Sequence, residues 1–168
     1  MSATAFKFRM PAGIPGDVTR KEVATIEPNV IDDSSSHAFS ALLVYGNPVK
    51  MVSGKIRPIP SGASASDIYG ILVRPFPTNA TQDALGTSVP PLDGECDVLK
   101  RGYISVKLAH GTSAKNGPVY VRVDTGGAGG TIGQIQADSD TSHTVLMAGA
   151  YFMGVADESG NVEIAFNI

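Results

Sequence analysis

Apolar and polar residues alternate in several short segments of this chain, most clearly within residues 97–108. There, single polar residues separate Ile104, Val106 and Leu108 from one another. A repeat of two places successive side chains on opposite faces, as in a strand with one buried face. We therefore predict a central strand whose other face carries Tyr103, Ser105 and Lys107. Gly102 interrupts the pattern, which predicts a bend with a bulge or a close approach of another backbone segment.

Further strands are predicted on both sides of this segment. Residues 48–52 alternate, residues 68–74 are almost continuously apolar, and residues 161–168 alternate strictly. The continuous segment predicts a strand that is buried on both faces. Residues 118–123 follow an Asn-Gly turn signal, and their distance from the central strand favours a β-hairpin with a loop of about ten residues.

Segments of helical period are almost absent, while at least seven short strands are separated by turn residues. The chain is therefore predicted to be all-β, either a β-sandwich or a partly closed β-barrel, with an extended N-terminal arm. We assign residues 1–20 to the arm and residues 21–168 to the β-domain.

The predicted arm carries apolar residues that need a surface to cover them. Phe6, Phe8 and Met10 alternate with two basic residues and precede a region rich in proline and glycine, which disfavours regular structure. The arm could dock on its own domain or on a neighbouring subunit, and the sequence favours neither. Residues 78–95 are polar and are predicted to form a long surface loop that contacts a partner.

The composition narrows the classes of partner. A chain of 168 residues suits a single domain, and 13 basic against 16 acidic residues give a net charge of −3. No segment collects Lys and Arg into a stripe for phosphates, which argues against direct nucleic-acid binding. Cys96 is the only cysteine, so an intramolecular disulfide is impossible. Neither a signal peptide nor a membrane span is indicated, so we expect a soluble protein made in the cytoplasm.

One tripeptide and the three histidines are candidate sites of chemistry. Asp124-Thr125-Gly126 matches the tripeptide of aspartic proteases, which a homodimer could use to pair two carboxylates. An Asx turn that ends a strand is the simpler interpretation, because no apolar-apolar-Gly-Arg-Asp segment follows to brace a protease site. The glycine-rich residues 126–133 fit no nucleotide-binding spacing, and His37, His110 and His143 lack the spacing of metal ligands. We therefore expect no enzyme activity, no cofactor and no metal site.

Five segments together resemble the structural cement proteins, also called decoration proteins, of tailed bacteriophages. They are residues 8–20 (FRMPAGIPGDVTR), 69–75 (YGILVRP), 98–104 (VLKRGYI), 118–122 (PVYVR) and 154–157 (GVAD). The likeness extends over nearly the whole chain and depends on the ordered set, since no single segment carries a catalytic motif.

The resemblance implies a β-rich accessory protein on the outer surface of an icosahedral head, where it bridges neighbouring major capsid subunits. Its expected location is the virion, after synthesis in the host cytoplasm. The expected partners are the major capsid protein and further copies of this chain, as a dimer or trimer, with no nucleic acid and no membrane. Capsid contacts are expected at the arm residues Phe6, Phe8, Arg9, Met10 and Pro11.

Two other functions stay open at this point. A tail or baseplate adaptor could be built on a similar β-domain, and a homodimeric aspartic protease would use Asp124. Location within the virion separates the adaptor from the cement protein, and a titratable activity would reveal the protease.

Overall fold

A computed structural model describes residues 13–32, 42–75, 90–127 and 130–168 of the chain. These residues form nine β-strands and two single-turn 3-10 helices, the latter at Lys21–Val23 and Ala65–Asp67. The strands are β1 (Thr25–Val30), β2 (Pro48–Val52), β3 (Lys55–Pro58), β4 (Gly70–Val73), β5 (Glu95–His110), β6 (Pro118–Arg122), β7 (Ile135–Gln136), β8 (Thr144–Phe152) and β9 (Asn161–Phe166). The structure is all-β, which confirms the fold class predicted from the alternating segments.

The 16-residue strand β5 is shared by two sheets. Its first half pairs with β1 on one side and with β4 on the other, and β2 and β3 extend that sheet beyond β4. Its second half pairs with β9 and, at its end, with β7. The order β5-β7-β6-β8-β9 then returns to β5, so these five strands form a closed barrel. A second sheet is thus built onto the longest strand of the barrel.

The barrel encloses the larger of two hydrophobic cores, and its strands contribute the faces that the alternation predicts. Among the fully buried side chains of this core are Ile104, Val106, Val119, Val121, Val162 and Ile164. Burial of one such side chain contributes roughly 1.5 to 3 kcal/mol. The period-two pattern therefore identifies the inside of the barrel directly.

The second sheet has a buried face on each side. Ile71 and Leu99 pack into the barrel core, whereas Leu72 and Val98 pack into a smaller core with Ile31, Leu43, Tyr45, Val49 and Ile56. All four residues of β4 are buried. This arrangement confirms the two-sided burial predicted from the continuous apolar segment.

Another part of the chain crosses β5 at Gly102, where β5 passes from the second sheet into the barrel. Gly102 has a φ of +137°, and a Cβ atom there would lie 3.1 Å from the Cα of Ala24. The close backbone approach predicted for this glycine is confirmed. Ser105 differs from the prediction, because it is fully buried under residues 13–17 instead of lying on an open face.

The predicted hairpin between the central strand and residues 118–123 is wrong. In the described part of the chain, β7 lies between β5 and β6, parallel to β5 and antiparallel to β6. A strand of only two residues has almost no periodic signal, so the sequence pattern does not reveal it.

β1 contains Pro28 and is an edge strand over most of its length. It pairs with β5 on one side, and on the other side Ile31, just beyond the strand, bridges Ile56 of β3. Proline lacks the N–H that a central strand needs, and at an edge it hinders pairing with a foreign strand.

Several predictions concern residues outside the described ranges. These are the arm up to residue 12, with all its expected capsid contacts, and residues 76–89 of the expected surface loop. Within the described ranges, no helix is long and apolar enough to cross a membrane.

Candidate interaction surfaces

Residues 13–20, which we call the arm joint, lie along β5 and pair with it. Gly16 N–H donates to Ser105 O at 2.8 Å, and Ser105 N–H donates to Asp17 O at 2.9 Å. Thr19 N–H donates to Tyr103 O at 3.1 Å. This described part of the predicted arm therefore docks on its own domain, between the stretches of β5 that pair with β4 and β7.

Side chains fasten both ends of the arm joint. At its C-terminal end, Arg20 Nη2 lies 2.9 Å from Glu163 Oε2, and Thr19 Oγ1 donates to Glu163 Oε1 at 2.5 Å. The hydrogen bond to Glu163 raises the pKa of Arg20 above its ordinary value. Nearer the N-terminal end, Arg74 Nε donates to Pro15 O at 3.1 Å.

The edge patch is a row of exposed apolar side chains on β1, formed by Ile26, Pro28 and Val30. Alternate residues of a strand share a face, so these three lie side by side. Ile26 and Val30 each retain 39% of their accessible surface. Single exposed apolar residues are normal on a soluble protein, but a row of three on one strand is a candidate contact surface.

The wall patch lies on the outside of the barrel and is formed by Tyr120, Leu146 and Ala148. Tyr120 of β6 is directly opposite Leu146 of β8 in the ladder, and Ala148 shares the outward face of Leu146. Leu146 is 50% exposed. The patch contains no charged residue, and strands β7 and β9 separate its strands from β5 and hence from the edge patch.

Asp124 of the protease-like tripeptide closes a turn. Its Oδ1 accepts the Gly126 N–H at 2.7 Å, which is the geometry of the Asx turn favoured above. This backbone hydrogen bond, together with His143, holds the pKa of Asp124 below its ordinary value. The Nδ1 atom of His143 lies 3.3 Å from Asp124 Oδ1. The tripeptide therefore forms a turn just after the end of β6.

Arg122 is a charged residue that sequence reasoning missed. It lies between Val121 and Val123 and points away from the barrel core, yet its side chain is fully buried. Its guanidinium donates to Asp140 Oδ2 at 3.2 Å and to Gly126 O. The alternating pattern does not reveal this burial, because the covering residues, among them Gly126 and Asp140, lie in the loops that follow β6 and not in a periodic strand.

The remaining candidate residues lie apart from one another. His110 lies at the exposed end of β5, 3.7 Å from Asp138, and His37 is outside the described residues. Among the side chains that the structure describes, no group of three or more His, Cys, Asp or Glu could hold a metal ion. Burial raises the pKa of the Cys96 thiol to about 11, with a smaller contribution from Asp97. Cys96 is therefore protonated at neutral pH and weakly nucleophilic.

Comparison with known proteins decides the family. A family model described as the XM1 gp53 minor capsid protein matches residues 3–166. The chain belongs to this family. It is therefore a structural protein of a phage capsid and is located in the virion, which confirms the resemblance found in the sequence.

The solved structures agree with the family in fold. A chain in a structure titled "The capsid of Myoviridae Phage XM1" superposes on this minor capsid protein with a TM-score of 0.67. The two chains share 19% sequence identity, and the match covers 97% of this chain and 95% of the other. At this identity the likeness shows a common fold. No curated protein sequence matches the chain significantly.

Proposed function

We propose that this minor capsid protein is a cement protein that binds the outer surface of the assembled head and bridges neighbouring major capsid subunits. It is made in the host cytoplasm and joins the shell through several contacts spread over its surface. The arm residues Phe6, Phe8, Arg9, Met10 and Pro11 contribute to these contacts, together with the loop at residues 78–95. Family membership supports a place in the capsid, and the surface of the β-domain supports the bridging role.

The observation that carries the bridging role is the presence of two separate apolar patches. A protein that holds two subunits together needs at least two contact surfaces, and these must lie on different parts of the molecule. The edge patch belongs to the second sheet, whereas the wall patch belongs to the far side of the barrel. Each patch can cover apolar surface on a different capsid subunit.

Linked contacts explain how modest patches could stabilise a large shell. When one contact has formed, the second becomes effectively intramolecular, and the combined affinity can exceed either contact alone by about 10² to 10⁴. Two capsid subunits joined in this way separate only when the bridging molecule loses its contact with at least one of them. The proposal therefore needs no deep pocket.

One glutamate in each patch tests the proposal. Ile26→Glu and Leu146→Glu place a charge in the edge patch and in the wall patch, at positions exposed enough to accept it. Burial of the exposed part of either side chain contributes about 0.6 to 1.5 kcal/mol, and a glutamate in the contact must also lose its hydration, so each variant should bind stripped heads about tenfold more weakly. Binding is measured by co-sedimentation with the heads, after thermal unfolding has shown that each variant is folded.

Val155→Glu is the matched control, since Val155 is 57% exposed. Val155 follows the C-terminal end of β8, whereas Leu146 lies near the N-terminal end of that strand. The control variant should bind like the unmodified protein. If both patch variants also bound like the control, bridging through these patches would be wrong. A map of the whole particle with the chain on the tail instead of the head would support an adaptor and overturn the cement role.

A further inference from the structure

The arm joint meets three other chain segments at Gly16. Gly16 N–H donates to Ser105 O at 2.8 Å, and Gly16 O accepts the Arg74 N–H at 2.9 Å. Gly46 packs against the same residue, because a Cβ atom on Gly46 would lie 2.9 Å from Gly16 N and 3.3 Å from Ser105 O. Backbone therefore packs directly on backbone at this point, with no room for a side chain between them.

The two glycines are required on steric grounds. A Cβ atom on Gly16 would lie 2.7 Å from the Cβ of Tyr45, closer than real Cβ contacts occur. Gly46 also has a φ of +88°, a conformation that residues with a side chain rarely adopt. A side chain at either position would push the arm joint away from β5.

The joint is also fixed at its other end, so it cannot hinge there freely. Thr19 is held by the backbone of Tyr103, and Arg20 is held by the carboxylate of Glu163. The Arg20 guanidinium stacks 3.9 Å from the centroid of the Tyr103 ring. All these partners belong to the barrel.

We infer that residues 13–20 act as a rigid joint that holds the capsid-bound arm close to the barrel. Gly16 and Gly46 are then positioning residues for capsid binding. This inference rests on the proposed function, since it assumes that residues 1–12 contact the shell. With the joint closed, at most 12 residues link the barrel to those contacts. With the joint open, the link extends to about 20 residues. Effective concentration falls roughly as the −3/2 power of linker length, so opening the joint weakens linked binding about twofold.

The experiment is a double-mutant cycle on the full chain. Gly46→Ala should open the joint and weaken binding to stripped heads about twofold. Gly54→Ala is the matched control, because Gly54 has a similar φ of +79° but nothing within 4 Å of its Cβ position. The control should bind like the unmodified chain. Both substitutions are then repeated in a chain that lacks residues 1–12.

The truncated chain separates a joint from general damage. Because the joint acts only through the arm, Gly46→Ala should change nothing once residues 1–12 are absent. Equal weakening in both backgrounds would overturn the joint. Full binding by Gly46→Ala in the full chain would also overturn it, provided that deletion of the arm reduces binding. If deletion of residues 1–12 left binding unchanged, the proposal that the arm contacts the capsid would be wrong. The inference about the joint would then be wrong as well.

Glu163→Gln provides a second test in case Gly46→Ala does not fold. This variant weakens the hold on Arg20 and Thr19 without adding a side chain to the packed backbone. It should weaken binding in the full chain and not in the truncated one. Faster hydrogen exchange at the Thr19 amide would accompany the loss, and unchanged binding despite that faster exchange would overturn the inference.

Discussion

Arg122 is the largest fully buried side chain in the described structure, although it points away from the barrel core. Its charge is compensated by Asp140, whose side chain retains 27% of its exposure. A buried charge that loses its partner typically costs 3 to 5 kcal/mol, whereas an exposed ion pair is worth little. The Arg122–Asp140 contact should therefore be one of the most sensitive side-chain pairs in the barrel.

Asp140→Asn should lower the free energy of unfolding by about 3 kcal/mol, because it removes the carboxylate that Arg122 contacts while keeping the shape of the side chain. Urea unfolding measures the change. Asp138→Asn is the control, since Asp138 lies two residues away in the same segment but is 59% exposed. Equal stability of the two variants would show that the Arg122 charge is compensated in another way.

Asp67 predicts a pH dependence of stability. The hydrogen bond from Lys50, followed by those from the backbone and side chain of Ser64, lowers the pKa of Asp67 to about 2. An unfolded aspartate has a pKa of about 3.9, so this contribution is complete above about pH 4 and is lost as the pH falls towards 2. Asp67→Asn should therefore be less stable than the unmodified protein at pH 7, with the difference shrinking between pH 4 and pH 2. The urea midpoints of both proteins at pH 4 and at pH 2 measure this difference in stability. A difference that stays constant between the two pH values would contradict the lowered pKa of Asp67.

β5 determines the arrangement of the other elements. It carries β1 and β4 along its first half, β9 and β7 along its second half, and the arm joint between β4 and β7. Without the joint, the backbone groups of Tyr103 and Ser105 would lose their partners on a buried stretch of strand. We therefore propose a domain boundary before residue 13 in place of the predicted boundary after residue 20.

Two truncations test this boundary. Removal of residues 1–12 should leave a folded domain with nearly unchanged stability and weaker capsid binding. Removal of residues 1–20 should cost about 4 kcal/mol, since it deletes the four backbone hydrogen bonds that join the arm joint to β5 and to Arg74, worth about 1 kcal/mol each. Urea unfolding of both chains makes the comparison. Equal stability of the two truncated chains would place residues 13–20 outside the folded domain.

The sequence predicts elements that are long and periodic, and it fails where contacts are distant. The alternation at Ile104 to Leu108 identifies β5 and the inside of the barrel, and Gly102 marks a true crossing of the backbone. The pattern cannot reveal that β7 separates β5 from β6, because two residues carry no period. It also assigns Ser105 to an open face, since the covering residues 13–17 are about 90 positions earlier in the sequence.

The candidate interaction surfaces also divide into those that the sequence reveals and those that only the structure reveals. The arm is visible in the sequence as an apolar alternation at Phe6 and Phe8. The edge and wall patches are not, because exposed and buried apolar residues look alike until the strands are paired. Leu146, at 50% exposure, and Met147, at 1%, are neighbours in one strand.

At the scale of the whole molecule, the closed barrel and the sheet built onto it form a framework that presents separate patches. The proposed cement function requires no reaction, so on this proposal the effect comes from preferential binding to one state of the shell. Binding of this kind stabilises that state by about 2.7 kcal/mol per site when the free protein is at a hundredfold excess over its Kd. The effect is repeated over many sites on one head.

The measurement that tests the central claim most directly is the temperature at which purified heads release their DNA, with and without this protein. We predict that heads carrying the protein release DNA at a higher temperature than heads stripped of it, and that re-addition restores the difference. The same protein should bind assembled, expanded shells more tightly than free major capsid subunits. Equal release temperatures for decorated and stripped heads would contradict the account.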